Sequence, residues 1–368
     1  MSTATEPTNE ERARRESARA DTRRQLTAGR LPNHIGLATF VVAVVVVGAV
    51  LGLIGAFSLA ATLILGTLLF LVTISVLSTV VEGARRARDR FARYLVTTAF
   101  VIALIPLISL IVGTVSKGVE RMDVQFFTYS MRNVTGDELG GAVHAIYGTL
   151  IVTGLATLIS VPIGIMTSIY LVEYGGTSRI AKATTFFVDV MTGIPSIVAG
   201  LFAYTVFSLV FGPGTRIGLA GAVALSVLMI PVVVRSTEEM LRLVPNELRE
   251  ASYALGVPKW RTILKVVLPT SIAGIITGVV LAIARVIGET APLLVAAGLT
   301  TSLNTNPLSD PMTTLPVFVY YSYVTPGIPP EPYIARAWAG ALTLILIVMA
   351  LNLLGRVIAA KFAPKPGR

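Results

Sequence analysis

Two ionisable residues stand inside an apolar stretch: Arg285 and Glu289 in LAIARVIGETAPLLVAAG, residues 281–298. On a continuous helix, positions four apart share one face, so the carboxylate can partner the guanidinium and reduce the charge that must be hidden. An Arg at the centre of a bilayer costs about 2.5–3.5 kcal/mol even on lenient scales, so it is expected to face a protein interior and to have a role. Its planar fork can donate two hydrogen bonds to two oxygens of a tetrahedral oxyanion. A carboxylate competing for the fork would keep such an anion weakly held, as conduction requires. A packing salt bridge is the alternative reading of the same pair. Gly288 opens space beside them, and Thr290 and Pro292 can loosen the backbone just beyond. A third cation, Arg235, lies at the end of another apolar stretch, where basic residues also occur for reasons of topology alone.

A second segment, EASYALGVPKWRTILKVVLP at residues 250–269, is polar and punctuated. Pro245 and Asn246 are helix-start signals, Asn through its side-chain oxygen, and a short helix is predicted over 247–255. Gly256 supplies a permissive backbone for a reversal, and Pro258 suits the first turn of a second helix. The expected product is a helix, a turn and a helix standing out of the membrane.

Other chemistries are excluded. With no cysteine, disulfide, iron–sulfur and thiol chemistry are absent. His34 and His144 are too few and too far apart for a metal site, and no bound cofactor is expected. No GxxxxGK[ST] loop exists to cradle a nucleotide, so the chain is not expected to hydrolyse ATP.

These residues must be positioned by membrane helices. The chain has 368 residues, 54% of them hydrophobic and 14% charged, against roughly a quarter charged in soluble domains. Eight stretches approach the length of about 20 apolar residues that crosses the hydrocarbon: 35–54, 58–81, 95–115, 141–172, 186–210, 217–234, 272–299 and 335–360. An all-α integral membrane bundle is predicted, a six-helix core over 95–362 preceded by a hairpin at 35–81 that turns through Gly55, Ala56 and Phe57. Gly193 and Pro195 are expected to kink the fifth span, and Asp189 near its end reads as interfacial or structural.

The net charge of +10 is distributed by segment rather than as one patch, which argues for orientation in a bilayer and against nucleic acid. With the N-terminus inside, internal segments hold 24 Lys and Arg and external ones hold four: Lys117, Arg121, Arg132 and Arg216. This predicts a disordered basic cytoplasmic tail at 1–34, a basic cytoplasmic linker at 82–94, a cytoplasmic loop at 235–271 and a cytoplasmic tail at 363–368. The tail does not have the shape of a cleaved signal peptide. The 300–334 stretch, with seven prolines and no basic residue, is expected to be an irregular external segment.

Residues 250–269 resemble the EAA signature of ABC importer permeases, through Glu250, Ala251, Ser252, Gly256, Val266, Leu268 and Pro269, with Ser252 and Val266 as mild departures. The resemblance implies a coupling helix seated in a groove of a separate ATPase subunit, with Glu250 offering a charge there. ARVIGETAPLL, MTGIPSIVAGL, IYLVEYGG and RSTEEMLRLVPNELREASYALG resemble PstA-type subunits of bacterial phosphate importers, over roughly residues 91–360. That family implies phosphate passage by way of Arg235 and Arg285. It also implies a PstC-type second permease, a PstB-type ATPase pair using ATP and Mg, and an external PstS-type binding protein. A permease for molybdate or sulfate, or a secondary transporter driven by an ion gradient, are the competing readings.

Overall fold

The computed structural model describes residues 31–32 and 34–362, so the tail expected at 363–368 and all but three positions of the tail expected at 1–34 fall outside the described residues. All regular structure among those residues is helical. The chain divides into two compact units, residues 1–110 and 111–368.

In the first unit, α1 (Ile35–Leu53) and α2 (Leu59–Glu82) form the expected hairpin. Gly55, at φ +69°, takes the left-handed backbone that the reversal requires. Phe70 lies edge-on to Phe40 at 5.5 Å and to Tyr94 at 5.1 Å, over buried Ala43, Leu71 and Ile74. The segment expected as a linker at 82–94 is instead almost wholly helical. Gly83, at φ +87°, is the break, and α3 (Ala84–Val119) starts directly after it. Arg, Ala and Leu favour helix. Glu82 ties the corner by accepting hydrogen bonds from Leu31 N at 2.8 Å, Ser78 Oγ at 2.7 Å and Arg90 Nη2 at 2.7 Å.

The second unit takes the last turns of α3 and then runs through α4 (Val124–Thr128), α5 (Val143–Ile169), α6 (Arg179–Thr192), α7 (Ser196–Phe211) and α8 (Gly218–Arg242). After these come α9 (Asn246–Ala254), α10 (Lys259–Thr262), α11 (Leu268–Val286), α12 (Ala291–Ala296), α13 (Leu315–Val324) and α14 (Glu331–Phe362). Two π-helical turns, Tyr170–Gly175 and Ile263–Val267, prolong α5 and join α10 to α11.

Helix α8 is the centre of this unit. Its Leu225, Met229 and Val233 are fully buried against Val152 and Ala156 of α5, Ala282 and Val286 of α11, and Leu293 of α12. Lipid tails are as apolar as Leu, so close helix contact in a membrane depends on small residues rather than on hydrophobicity alone. A Cβ added to Gly164 of α5 would lie 2.6 Å from the Val233 side chain, and one on Gly278 of α11 would lie 2.5 Å from Ser236 Oγ.

Among the described residues, seven helical stretches are long and apolar enough to cross a membrane, and α6 and α7, bent by 108° at the break between them, make an eighth when counted together as one broken span. Many of their Leu, Val, Ile and Phe side chains are exposed, which is the ordinary surface of a bundle solvated by lipid.

Three expectations change. The fifth span is not one kinked helix but two, because Pro195 cannot donate a helical hydrogen bond and holds its own backbone extended, at ψ 136°. The seventh span ends at Val286 and resumes only at Ala291. The 300–334 stretch is not irregular throughout, since α13 lies within it, with Leu315, Val317 and Phe318 buried. Its apolar run has a side to bury, and its one proline, Pro316, lies in the first turn, where a missing N–H costs little.

Candidate functional site

Both broken spans and α8 meet at one cavity of about 220 Å³. Met191 and Thr192 reach it from the end of α6, Ile194 from the break and Ser196 from the start of α7. Leu228, Pro231 and Val232 of α8 form a wall, and Arg285 and Glu289 come from the last turn of α11 and the break after it.

Local chemistry accounts for each break. At the first, Gly193 N donates to Val190 O at 3.0 Å, and the Pro195 carbonyl accepts from Val198 N at 2.9 Å, which starts α7. The first N–H groups of α7 have no helical acceptor, and with the helix dipole they make this end favourable to negative charge. At the second break, Glu289 N donates to Val286 O at 3.1 Å, and Leu294 N donates to Thr290 O at 2.9 Å to open α12. Pro231 likewise denies the Val227 carbonyl its helical donor beside the cavity.

The break changes the reading of Arg285 and Glu289. They do not share a helical face, and no ion pair joins them; six ion pairs occur among the described residues and neither residue belongs to one. The cavity therefore gathers one cation and one carboxylate that are not in direct contact. Arg285 is exposed in the isolated chain rather than enclosed by it. Thr290 lies at the second break without lining the cavity.

Arg235 is placed elsewhere. Its Nη1 donates to Glu238 Oε2 at 2.9 Å and its Nη2 pairs with Asp189, so it joins α8 to α6. Glu238 also accepts from Arg242 at 2.5 Å. Two carboxylates thus hold Arg235, whereas Arg285 has none.

The segment around residues 250–269 takes the expected shape, with adjustments. Helix α9 starts at Asn246, but the Asn246 side chain does not cap it; its oxygen accepts only from Arg249 Nη1, at 3.4 Å. Gly256 stands at φ +74° and its N–H donates to Tyr253 O at 2.9 Å. Pro258 sits one position before α10 rather than within it, and its carbonyl accepts from Arg261 N at 2.9 Å. Glu250, Ala251 and Gly256 are exposed and Ser252 is buried, its Oγ 2.8 Å from Thr262 Oγ1. Leu268 and Pro269 open α11. One face of the element is thereby free while the other is bolted to the bundle.

The bolts were not foreseen from the sequence. Arg249 of α9 reaches Glu173 in the π-helical turn after α5, with Nη2 at 2.8 Å and Nε at 3.1 Å from Oε1. The IYLVEYGG stretch contained the residue, but nothing local to it named a partner 76 positions away. Among the described residues, no group of His, Asp or Glu could hold a metal ion.

A Gly200→Val substitution tests the packing beside the cavity. A Cβ at Gly200 of α7 would lie 2.5 Å from Pro292 Cα of α12, so a larger side chain must push apart the two helices that follow the breaks. Overpacking costs about 1–3 kcal/mol, and the expected result is at least about a fivefold loss of transport, the factor in an equilibrium that matches the lower end of that range. Gly200→Ala should fall in between, with transport and membrane abundance measured in parallel.

The profile of the family described as "Binding-protein-dependent transport system inner membrane component" matches residues 160–367. The Phosphate transport system permease protein PstA 1 of Mycobacterium tuberculosis (strain ATCC 25618 / H37Rv) is 46% identical over 278 residues, covering 74% of this chain and 88% of that protein. PstA of Yersinia pestis is 43% identical over 280 residues, covering 76% and 92%. Among solved structures, a bacterial alginate ABC transporter in complex with its pentasaccharide-bound periplasmic protein has a chain that aligns with a TM-score of 0.54 at 13% identity, over 76% of this chain and 97% of that one. At that identity the likeness is one of fold. Profile and relatives together establish that this chain belongs to the PstA-type permeases of the binding-protein-dependent transport family.

Proposed function

We propose that this chain is one of two permease subunits of an ATP-driven phosphate importer, and that phosphate passes by way of Arg285 at the cavity between the two broken spans. The observation that carries the reading is the cavity itself: a guanidinium without a carboxylate partner and the positive end of α7 meet where two spans lose their helical hydrogen bonds. Interrupted membrane helices whose N-termini point at an anion are a recurring device for binding near the bilayer midplane. The identity to PstA proteins supports phosphate as the anion.

Glu289, in the same cavity, disfavours lasting occupancy by an anion, which suits a relay. Arg285, exposed in the isolated chain, would be covered by a PstC-type second permease. The exposed face of α9 would dock a PstB-type ATPase pair, which supplies hydrolysis with its own ATP and Mg, and a PstS-type protein would deliver phosphate from outside. The asymmetry of basic residues supports both termini being cytoplasmic, in a multi-pass protein of the bacterial plasma membrane. The test is radiolabelled phosphate uptake in cells lacking other phosphate carriers, with and without this chain. Uptake that persists without any ATPase would reject the reading.

Residues 1–81 are expected to be dispensable for passage. The hairpin helices carry no charge before Glu82 and contribute nothing to the cavity lining. A chain starting at Glu82 should insert with the same orientation, held by the arginines from Arg85 to Arg93, and take up phosphate within about twofold of the full-length rate, since every residue that lines the cavity belongs to the second unit. Loss of uptake by a truncated chain that still assembles would place the hairpin in the pathway.

A further inference from the structure

We infer that Glu173 is the positioning residue that makes the ATPase-docking element and helix α5 move as one body. The inference rests on the docking reading of α9 given above and assigns a role that the EAA segment does not contain.

Glu173 is held twice. Its carboxylate accepts from Arg249 Nη2 at 2.8 Å and Nε at 3.1 Å, and the same guanidinium donates to Val244 O at 2.6 Å and Leu241 O at 2.9 Å. Its backbone carbonyl accepts from Lys259 Nζ, whose ammonium also stands 5.0 Å from the centroid of the Tyr174 ring. Arg249 lies in the helix before the Gly256 turn and Lys259 in the helix after it. Both arms of the docking element therefore close on one residue.

The pair is enclosed, with side-chain exposures of 12% for Arg249 and 5% for Glu173. Charges at such depth hold their geometry firmly when paired and are costly when one is removed. Beneath them, Ile165, Ile169 and Val172 of α5 and its π-helical turn pack on Leu241 and Val244 after the cavity wall of α8, on Val267 of the second π-helical turn and on Ile275 of α11. Ser168 Oγ adds a hydrogen bond to Val234 O at 2.8 Å. A displacement of α9 is thus passed to α5, and from α5 to the two helices that carry Leu228, Pro231, Val232 and Arg285 at the cavity. Nothing about packing alone requires an ion pair here; an apolar pair would hold the fold, whereas the multiply bonded guanidinium fixes the angle between elements.

The experiment uses the complete importer in proteoliposomes and reads phosphate transported per ATP hydrolysed. Because the natural chain lacks cysteine, a single Cys at Leu255, 84% exposed beyond α9, reports docking by crosslinking to the ATPase. Glu173→Gln keeps shape and removes charge. The expected result is an unchanged Leu255→Cys crosslink, continued ATP hydrolysis, and a transport-to-hydrolysis ratio lower by at least about tenfold. A wild-type ratio with an intact crosslink would overturn the inference. A crosslink lost only in Glu173→Gln would also overturn it, by giving the residue to the docking surface. A crosslink absent from both chains would reject the docking reading and this inference with it. Lys259→Met removes the second tie and leaves the carboxylate pair. It decides the matter if Glu173→Gln does not reach the membrane: a fall of at least about threefold supports the inference, and a wild-type ratio overturns it.

Discussion

Replacing Arg285 by Gln is expected to abolish phosphate uptake, by at least about a hundredfold, while the protein reaches the membrane at normal abundance. Removing a charge that binds a desolvated anion costs about 2–5 kcal/mol, and each 1.4 kcal/mol is about a factor of ten. The structure sharpens the expectation. If Arg285 and Glu289 formed a packing ion pair, replacing both by Gln and Met would restore a transporting protein, as buried pairs often tolerate apolar exchange. They form no such pair, with Glu289 lying past the end of α11, so the double variant should be as inactive as the single one. Arg285→Lys should retain part of the activity at best, since it keeps the charge and loses the two-pronged geometry. Arg235→Gln provides the contrast. Its guanidinium is occupied by Asp189 and Glu238, so a structural link predicts lower abundance together with lower uptake, rather than uptake alone. Full uptake by the Arg285 and Glu289 double variant would remove Arg285 from the pathway.

Gly256→Pro is expected to leave the subunit in the membrane and to eliminate both co-purification of the ATPase and transport. Position 256 combines φ +74° with an N–H that donates to Tyr253 O at 2.9 Å. Proline fixes φ near −65° and has no N–H, so the turn between α9 and α10 cannot survive. Glu250→Lys tests the same surface without touching the turn, reversing an exposed charge on the free face of α9. Its effect should be smaller and should diminish as salt is raised, because exposed charges are screened within about 8–10 Å at physiological ionic strength. Wild-type ATPase yield and normal transport in both variants would reject the docking role.

What the sequence revealed and what it concealed follow from the range of the signals. The membrane helices and the Gly256 reversal were legible because hydropathy and turn chemistry are written in adjacent residues. The same locality hid the two breaks. A window of about 20 residues averages over Ile287–Thr290, and the spacing of Arg285 and Glu289 reads as one helical face only if the helix continues. Gly193 and Pro195 signalled a bend but not a turn of 108° that would bring Thr192 and Ser196 to the cavity. The ties of Arg249 to Glu173 and of Arg235 to Asp189 span 76 and 46 positions. They depend on how the helices are rotated against one another, for which a single sequence holds no local mark.

The seams where Gly164 meets Val233, Gly278 meets Ser236 and Gly200 meets Pro292 impose an asymmetry on how such a protein can vary through descent. Elsewhere in a core, random change offers both losses and gains of volume, and many losses are survivable. At a glycine every missense change adds at least a Cβ. Mutation at these seams therefore moves in the one direction that the neighbouring helix resists, while on exposed Leu and Val positions many single-base changes exchange one apolar side chain for another. Lineages of this permease should accordingly drift quickly on the outside and hold still along the lines where the helices touch, with no need for those glycines to contact anything that is transported.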